Sequence, residues 1–286
     1  MSTQNLRKSK SFKKLRAGGI YVCLALFTIV ILLPVYWMLR SSMASGSVLN
    51  QTPLVYFPTP SLQNFQTLMD QVPFLEYTRN SLVFAVATTI VTLTVSYLAA
   101  YAFARIPFPG SGILLWVLVL SMALPEIGTI VPLYRLLASL NLLDTIAGLT
   151  LVLSSVLAPF TVWVLVTFIK QIPYEIEEAA VIDGASLPQI LVRILLPITA
   201  PGLVTMGLIN FINAWNNLIF PLSFSVSPSA KTLSVAITEI FAGYSPYGKP
   251  WELIMAVGVT MVIPIVFLVL ISQRAIVRGL TRGALK

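Results

Sequence analysis

Three groups of side chains could do chemistry in this chain of 286 residues. The first is acidic and alanine-rich: Glu175, Glu177, Glu178, Ala179, Ala180, Asp183, Gly184 and Ala185, inside the segment Lys170–Pro197. The second is a run of amides in an apolar stretch. Asn210, Asn213 and Asn217 recur at i, i+3 and i+7, so a helix would put them on one face, flanked by Trp215 and Asn216. The third is a lone carboxylate, Glu126, directly after Pro125. Amides both donate and accept, and an aromatic ring can stack on the apolar face of a sugar, which suits a neutral, hydroxyl-rich cargo. Such amides also tie neighbouring membrane helices together, and both readings stand. A proline before Glu126 frees a backbone carbonyl, as in the kinked helices that line transport paths. Alternatively, Glu126 sits at the outer interface or pairs with Arg135. With no histidine and one cysteine, Cys23, a histidine–cysteine metal site, a Ser-His-Asp triad and a disulfide framework are excluded. No carboxylates are paired at a spacing that converges for catalysis. No Gly-x-x-x-x-Gly-Lys-Ser/Thr phosphate loop occurs, and Gly248-Lys249 runs into Pro250. The chain cannot itself hydrolyse ATP.

Composition dictates what must position these groups. Apolar residues make up 57% and charged residues 10%, against roughly 25% charged in a soluble domain, and mean hydropathy is +0.89. This describes a polytopic membrane protein. A spanning helix needs about 20 apolar residues, and six segments qualify: Gly19–Leu39, Leu82–Phe103, Ile113–Leu137, Ile146–Ile169, Ala200–Phe220 and Leu253–Ser272. The first follows a basic tail, residues 1–18, but is too long for a signal-peptide core and lacks a cleavage site. Pro125, Glu126 and Pro132 make the third the least regular. With both termini inside, thirteen basic residues fall on the inner side. They are Arg7, Lys8, Lys10, Lys13, Lys14, Arg16, Arg105, Lys170, Arg193, Arg274, Arg278, Arg282 and Lys286. Five fall outside: Arg40, Arg79, Arg135, Lys231 and Lys249. That asymmetry obeys the positive-inside rule. The formal charge of +8 therefore reads as topology and contact with anionic lipid, not nucleic-acid binding.

The loops are unequal. Residues 40–81 read as an extended external cap with one short helix at Leu62–Asp70, and residues 223–252 as an external segment with a turn cluster at Gly243–Tyr247. Arg105–Gly112 is a tight inner turn, and residues 273–286 form an inner tail. Lys170–Pro197 alone looks structured. Pro173 suits a first helical turn, and the three glutamates favour the positive end of a helix that runs to about Asp183. Gly184 permits the left-handed turn that ends it. Ser186 and Gln189 form a capping box for a second helix to about Leu196, after which Pro197 opens the next span. Acidic residues there would be repelled by anionic lipid, so a docking surface for a soluble partner accounts for them better than a helix pair floating on the leaflet.

The residues Glu178-Ala179-Ala180, Gly184 six positions after Glu178, and Ile194-Leu195-Leu196-Pro197 beyond resemble the EAA loop of ATP-binding-cassette (ABC) importer permeases. The string Glu178–Ser186, with Arg193 and Leu-Pro, is similar to the carbohydrate branch, and the chain looks like the smaller, maltose-type permease. Asn213-Ala214-Trp215-Asn216 and the C-terminal Gly-Leu-Thr-Arg-Gly-Ala-Leu-Lys extend the resemblance over nearly the whole chain. Where many members carry Phe, Ile190 or Leu191 stands here, and both keep an apolar side chain. The resemblance implies an all-α membrane protein of six transmembrane helices with the type I importer fold, its core in helices 2 to 6 (residues 82–272). It implies a coupling helix seated on a cytoplasmic ATPase through Glu178, Ala179, Ala180, Asp183, Gly184 and Ala185. The implied partners are a second homologous permease, two ATPase subunits that bind the ATP and magnesium, and an extracytoplasmic solute-binding protein. The implied place is a bacterial inner membrane and the implied cargo a sugar or sugar-like solute. A same-superfamily permease for an osmolyte, phosphate or amino acid remains the alternative, with a secondary carrier behind it.

Overall fold

The structure, a computed structural model, describes residues 3–49, 51–243 and 249–283. Helices in chain order are α1 (Thr3–Ser42), α2 (Gly46–Leu49), α3 (Gln63–Gln71), α4 (Phe74–Arg105), α5 (Ser111–Ser121), α6 (Glu126–Ser139) and α7 (Ile146–Lys170). They continue with α8 (Glu175–Ile182), α9 (Leu187–Gln189), a π-turn over Ile190–Leu195, α10 (Leu196–Asn216), α11 (Ile219–Phe224), α12 (Leu233–Gly243) and α13 (Trp251–Gly283). Five of these helical stretches are long and apolar enough to cross a membrane, and the bent pair α5–α6 brings the number to six. The turn cluster at Gly243–Tyr247 lies mostly outside the described residues, as do Lys286 and the end of the C-terminal tail.

Two compact units share the chain: Met1–Leu68 with Tyr244–Val259, and Met69–Gly243 with Thr260–Lys286. In the first, the apolar stretch of α1 is open along its length, while its far end is tied down by the segment that follows. The Arg40 guanidinium donates to the Val55 carbonyl and lies 4.8 Å over the Trp37 ring. The Asn64 amide reaches the carbonyls of Ser42 and Ala44, each at 2.8 Å. Buried polar groups need such partners, so this segment is an ordered cap.

The second unit is built on α4, α7 and α10. Its core includes Tyr97, Leu165, Val166, Ile169, Leu195 and Met206. Gly202 lets α10 approach α7 so closely that an added Cβ would sit 2.9 Å from the Phe168 ring. Here the structure corrects four boundaries expected from hydropathy. The second span begins at Phe74, not Leu82. The eight extra residues include Glu76 and Arg79, which dilute the apolar signal, yet Phe74, Tyr77, Asn80 and Ser81 bury one face. The third span is not one helix but two, meeting at 103°, because Pro125 is extended (φ −68°, ψ 132°) and helix resumes at Glu126. The fifth span does not start at Pro197. It runs as one helical stretch, Leu187–Asn216, since the π-turn gives the Leu196 N–H a partner five residues back at Leu191 and absorbs the donor that Pro197 lacks. It stops at Asn216, where Asn217 turns extended, and α11 follows. The expected outer loop 223–252 also contains a helix, α12, whose Leu233, Val235, Ala236 and Ile240 are buried.

Candidate functional site

The acidic stretch folds as local rules dictate. The chain turns at Pro173, and the N–H groups of Glu177 and Glu178 bond the Tyr174 carbonyl at 2.9 and 3.1 Å. Glu175, Glu177 and Glu178 stand in the first turn of α8, where the helix dipole favours negative charge. The helix ends in a Schellman arrangement: Gly184 N–H bonds Val181 O at 3.0 Å, and Ala185 N–H bonds Ala180 O at 2.9 Å. Gly184 takes φ +82°, and Ser186 N–H donates to Gln189 Oε1 at 2.8 Å.

Helical phase then divides the stretch. Glu178, Ala179, Asp183 and Gly184 face outward, and Ile182 is 86% exposed. Ala180 points in, against Tyr97, Ala100, Ile169 and Ile190, and Ala185 is half-buried. This exposed patch combines two carboxylates, small side chains that permit close approach and an isoleucine that offers apolar area. Inward beside Ala180 lies Glu177, 4% exposed, paired with Arg105 at 2.5 Å. Sequence reasoning missed this pair because Glu177 was read for the helix dipole and Arg105 for topology. The i, i+3 relation of Glu177 to Ala180 is the signal that could have found it.

The amide row splits three ways. Asn210 is 1% exposed and shares hydrogen bonds with Thr161 of α7, its Nδ2 donating at 3.1 Å, which makes it a tie between α10 and α7. Asn213 is exposed, its amide bonded back to the Ile209 carbonyl at 2.8 Å. Asn217 caps α11, its Oδ1 accepting from Phe220 N–H at 3.2 Å. Trp215 is buried, stacked on Phe211 and donating its indole N–H to the Met261 carbonyl at 2.9 Å. In this structure its ring is 2% exposed and packs inside the bundle, with its N–H already bonded. Asn216 is exposed. Glu126 and Asn213 come together on the wall of one cavity of about 590 Å³. Ser121, Thr129 and Ser155 add hydroxyls, and Met122, Leu133 and Phe160 supply apolar wall. The cavity exists because α5 and α6 part at Pro125. Among the described residues no ion pair joins Glu126 to Arg135.

Among the described residues, an all-helical chain with five to six helices long and apolar enough to cross a membrane, and an exposed helix–Gly–helix element, has the fold of a type I ABC importer permease. The chain belongs to the family of binding-protein-dependent transport system inner membrane components, matched over residues 93–282, and is thus a multi-pass inner-membrane transporter component. It is 36% identical to the trehalose/maltose transport system permease of Thermococcus litoralis, over 91% of this chain and 94% of that one. It is 35% identical to the trehalose permease of Mycobacterium tuberculosis, over 89% and 92%. To the sulfoquinovosyl glycerol permease of Agrobacterium fabrum it is 33% identical, over 89% of each. Its fold matches a chain in the crystal structure of a bacterial ABC transporter that imports the acidic polysaccharide alginate, with TM-score 0.77 at 20% identity, covering 94% and 97% of the two chains.

Proposed function

We propose that this chain is the permease subunit of an importer for a sugar or sugar-like solute, driven by a separate ATPase that docks on α8 from the cytoplasm. The observation that carries the reading is the outward face of α8, where Glu178, Ala179 and Ile182 stand exposed ahead of the Gly184 turn. The relatives named above carry saccharides or a sugar glycoside, which supports the cargo class. The partners are a second permease, two ATPase subunits binding ATP and magnesium, and an extracytoplasmic solute-binding protein. Both termini and Lys170–Pro197 are cytoplasmic in this reading. Glu126 and Asn213 are this subunit's contribution to the solute path, offering an acceptor and an amide to hydroxyl groups. Asn210, Asn217 and Trp215 hold the helices that form it.

The test is uptake and ATP hydrolysis in the assembled complex. Glu178→Lys should abolish uptake while the chain still inserts, either by losing the ATPase on purification or by keeping it with hydrolysis no longer stimulated by loaded receptor. Wild-type uptake and stimulation in that variant would overturn the docking role. Asn213→Leu should alter uptake with assembly intact, whereas Asn210→Leu should weaken the bundle by about 1 kcal/mol. Unchanged uptake in Asn213→Leu would remove that residue from the path.

A further inference from the structure

The Arg105–Glu177 pair joins more than two side chains. Arg105 is the last residue of α4, and its guanidinium makes three contacts. Nε bonds Glu177 Oε1 on α8 at 2.5 Å, Nη2 bonds the Ile172 carbonyl in the α7–α8 turn at 2.9 Å, and the group lies 5.7 Å from the centre of the Tyr174 ring. Both charged side chains are over nine-tenths buried. A buried pair whose cation is also bonded to a backbone carbonyl has one well-defined geometry, so it acts as a pin. The opposite end of the same helix is also pinned. Tyr77 donates its hydroxyl to Glu239 at 2.9 Å, and Glu239 holds Lys231 at 2.6 Å. Asn80 donates to the carbonyls of Pro228 and Lys231 at 2.9 and 3.0 Å, and Ser81 Oγ accepts from Leu233 N–H at 2.7 Å. From Tyr77 to Arg105 an α-helix spans about 42 Å at 1.5 Å per residue, more than the hydrocarbon thickness of a bilayer.

We infer that α4 is a rod fixed to the coupling helix at one end and to the 225–243 segment at the other, with Arg105 and Glu177 as the positioning residues that pass the movement of α8 into it. This rests on the docking role proposed for α8. The α9–α10 stretch follows α8 through the Gly184 bend, and there the packing of Ala180 with Ile190 and Leu195 is apolar and non-directional. The pin to α4 is a directional ion pair backed by the Ile172 carbonyl, and it holds α8 to α4 in one geometry. Arg105 therefore does not touch solute or ATPase. It acts through Glu177, and its loss should disturb transmission and leave docking in place.

The experiment uses the whole transporter in lipid nanodiscs, reading copurified ATPase, basal hydrolysis, and the ratio of receptor-stimulated to basal hydrolysis. Glu177→Gln and Arg105→Gln should each copurify the ATPase and hydrolyse at the basal rate, with the stimulation ratio reduced five-fold or more. The double variant should fall no lower than the singles, because the two groups act as one device, and Arg105→Lys should recover at least half of the ratio. Asn80→Ala, at the far end of the rod, should lower the ratio in the same way. Wild-type ratios in both single variants would overturn the inference. So would loss of the ATPase from both single variants, which would make the pair part of the docking surface alone. If the wild-type chain itself copurifies no ATPase, the docking proposal fails instead.

Discussion

Asp144 shows how much one carboxylate can organise. It sits between α6 and α7 with φ +58°, a left-handed conformation that Asp and Asn tolerate because their short side chains bond locally. Its N–H donates to Phe224 O at 3.0 Å, and its Oδ1 accepts from the N–H groups of Val226 and Ser227 at 2.8 and 2.9 Å. Burial pushes the carboxyl up, but the Ser227 hydroxyl, the Ser227 and Val226 N–H groups and Lys231 outweigh it and hold it below its ordinary 3.8. A lowered native value means the clamp contributes fully above the ordinary carboxylate range and is lost as pH falls through the native value. Thermal unfolding of the purified chain should therefore show an Asp144→Leu penalty of about 2 kcal/mol at neutral pH that shrinks below about pH 4. Asp144→Asn, which keeps an acceptor and tolerates the turn, should fall between. A Leu variant as stable as wild type at neutral pH would show that the clamp is idle. Nothing in the sequence pointed to Asp144, since its partners Phe224, Val226 and Ser227 are all distant in the chain. The same distance problem hid Arg105 from Glu177, whereas Gly184, whose bonds are all local, was legible.

At the scale of elements, the joint between α8 and the fifth span is set by one glycine. An added Cβ at Gly184 would meet no atom within 4 Å, so space does not demand glycine there, and the φ of +82° does. A left-handed residue with a Cβ costs roughly 1–2 kcal/mol, with Asn the cheapest replacement. Uptake by the reconstituted complex should thus follow the order Asn, Ala, Val at position 184, with Asn nearest wild type. If Val matched Asn, the left-handed conformation at position 184 would carry no cost for uptake, and the Schellman turn would not matter. Element boundaries were read well where apolar periodicity meets a strong stop signal, as at Ile146–Lys170. They were misread where helix continues through polar residues buried by a neighbour, as in Phe74–Ser81, or through a proline accommodated by a π-turn, as at Pro197. Hydropathy reports average solvent preference, and neither event changes that average.

For the whole molecule, the charge asymmetry predicts sidedness. In a Cys23-free background, a membrane-impermeant thiol reagent added outside intact cells should label a cysteine at Ser229 and spare one at Ser186. Both positions are exposed, so the contrast would report membrane side and not burial. Reversed labelling would overturn the orientation. By itself the sequence determined the helical membrane class, the presence of six apolar segments, the α8–Gly184–α9 element and its outward charge, because each depends on composition or on residues within one or two helical turns. Only the tertiary structure decided which amide of the fifth span faces a cavity, that Trp215 is packing, that α5 and α6 part at Pro125 to open the space beside Glu126 and Asn213, and that Arg105 closes on Glu177. Helical periodicity assigns residues to a face, but which neighbour that face meets is set by the packing of α4, α7 and α10, and no local pattern carries that information.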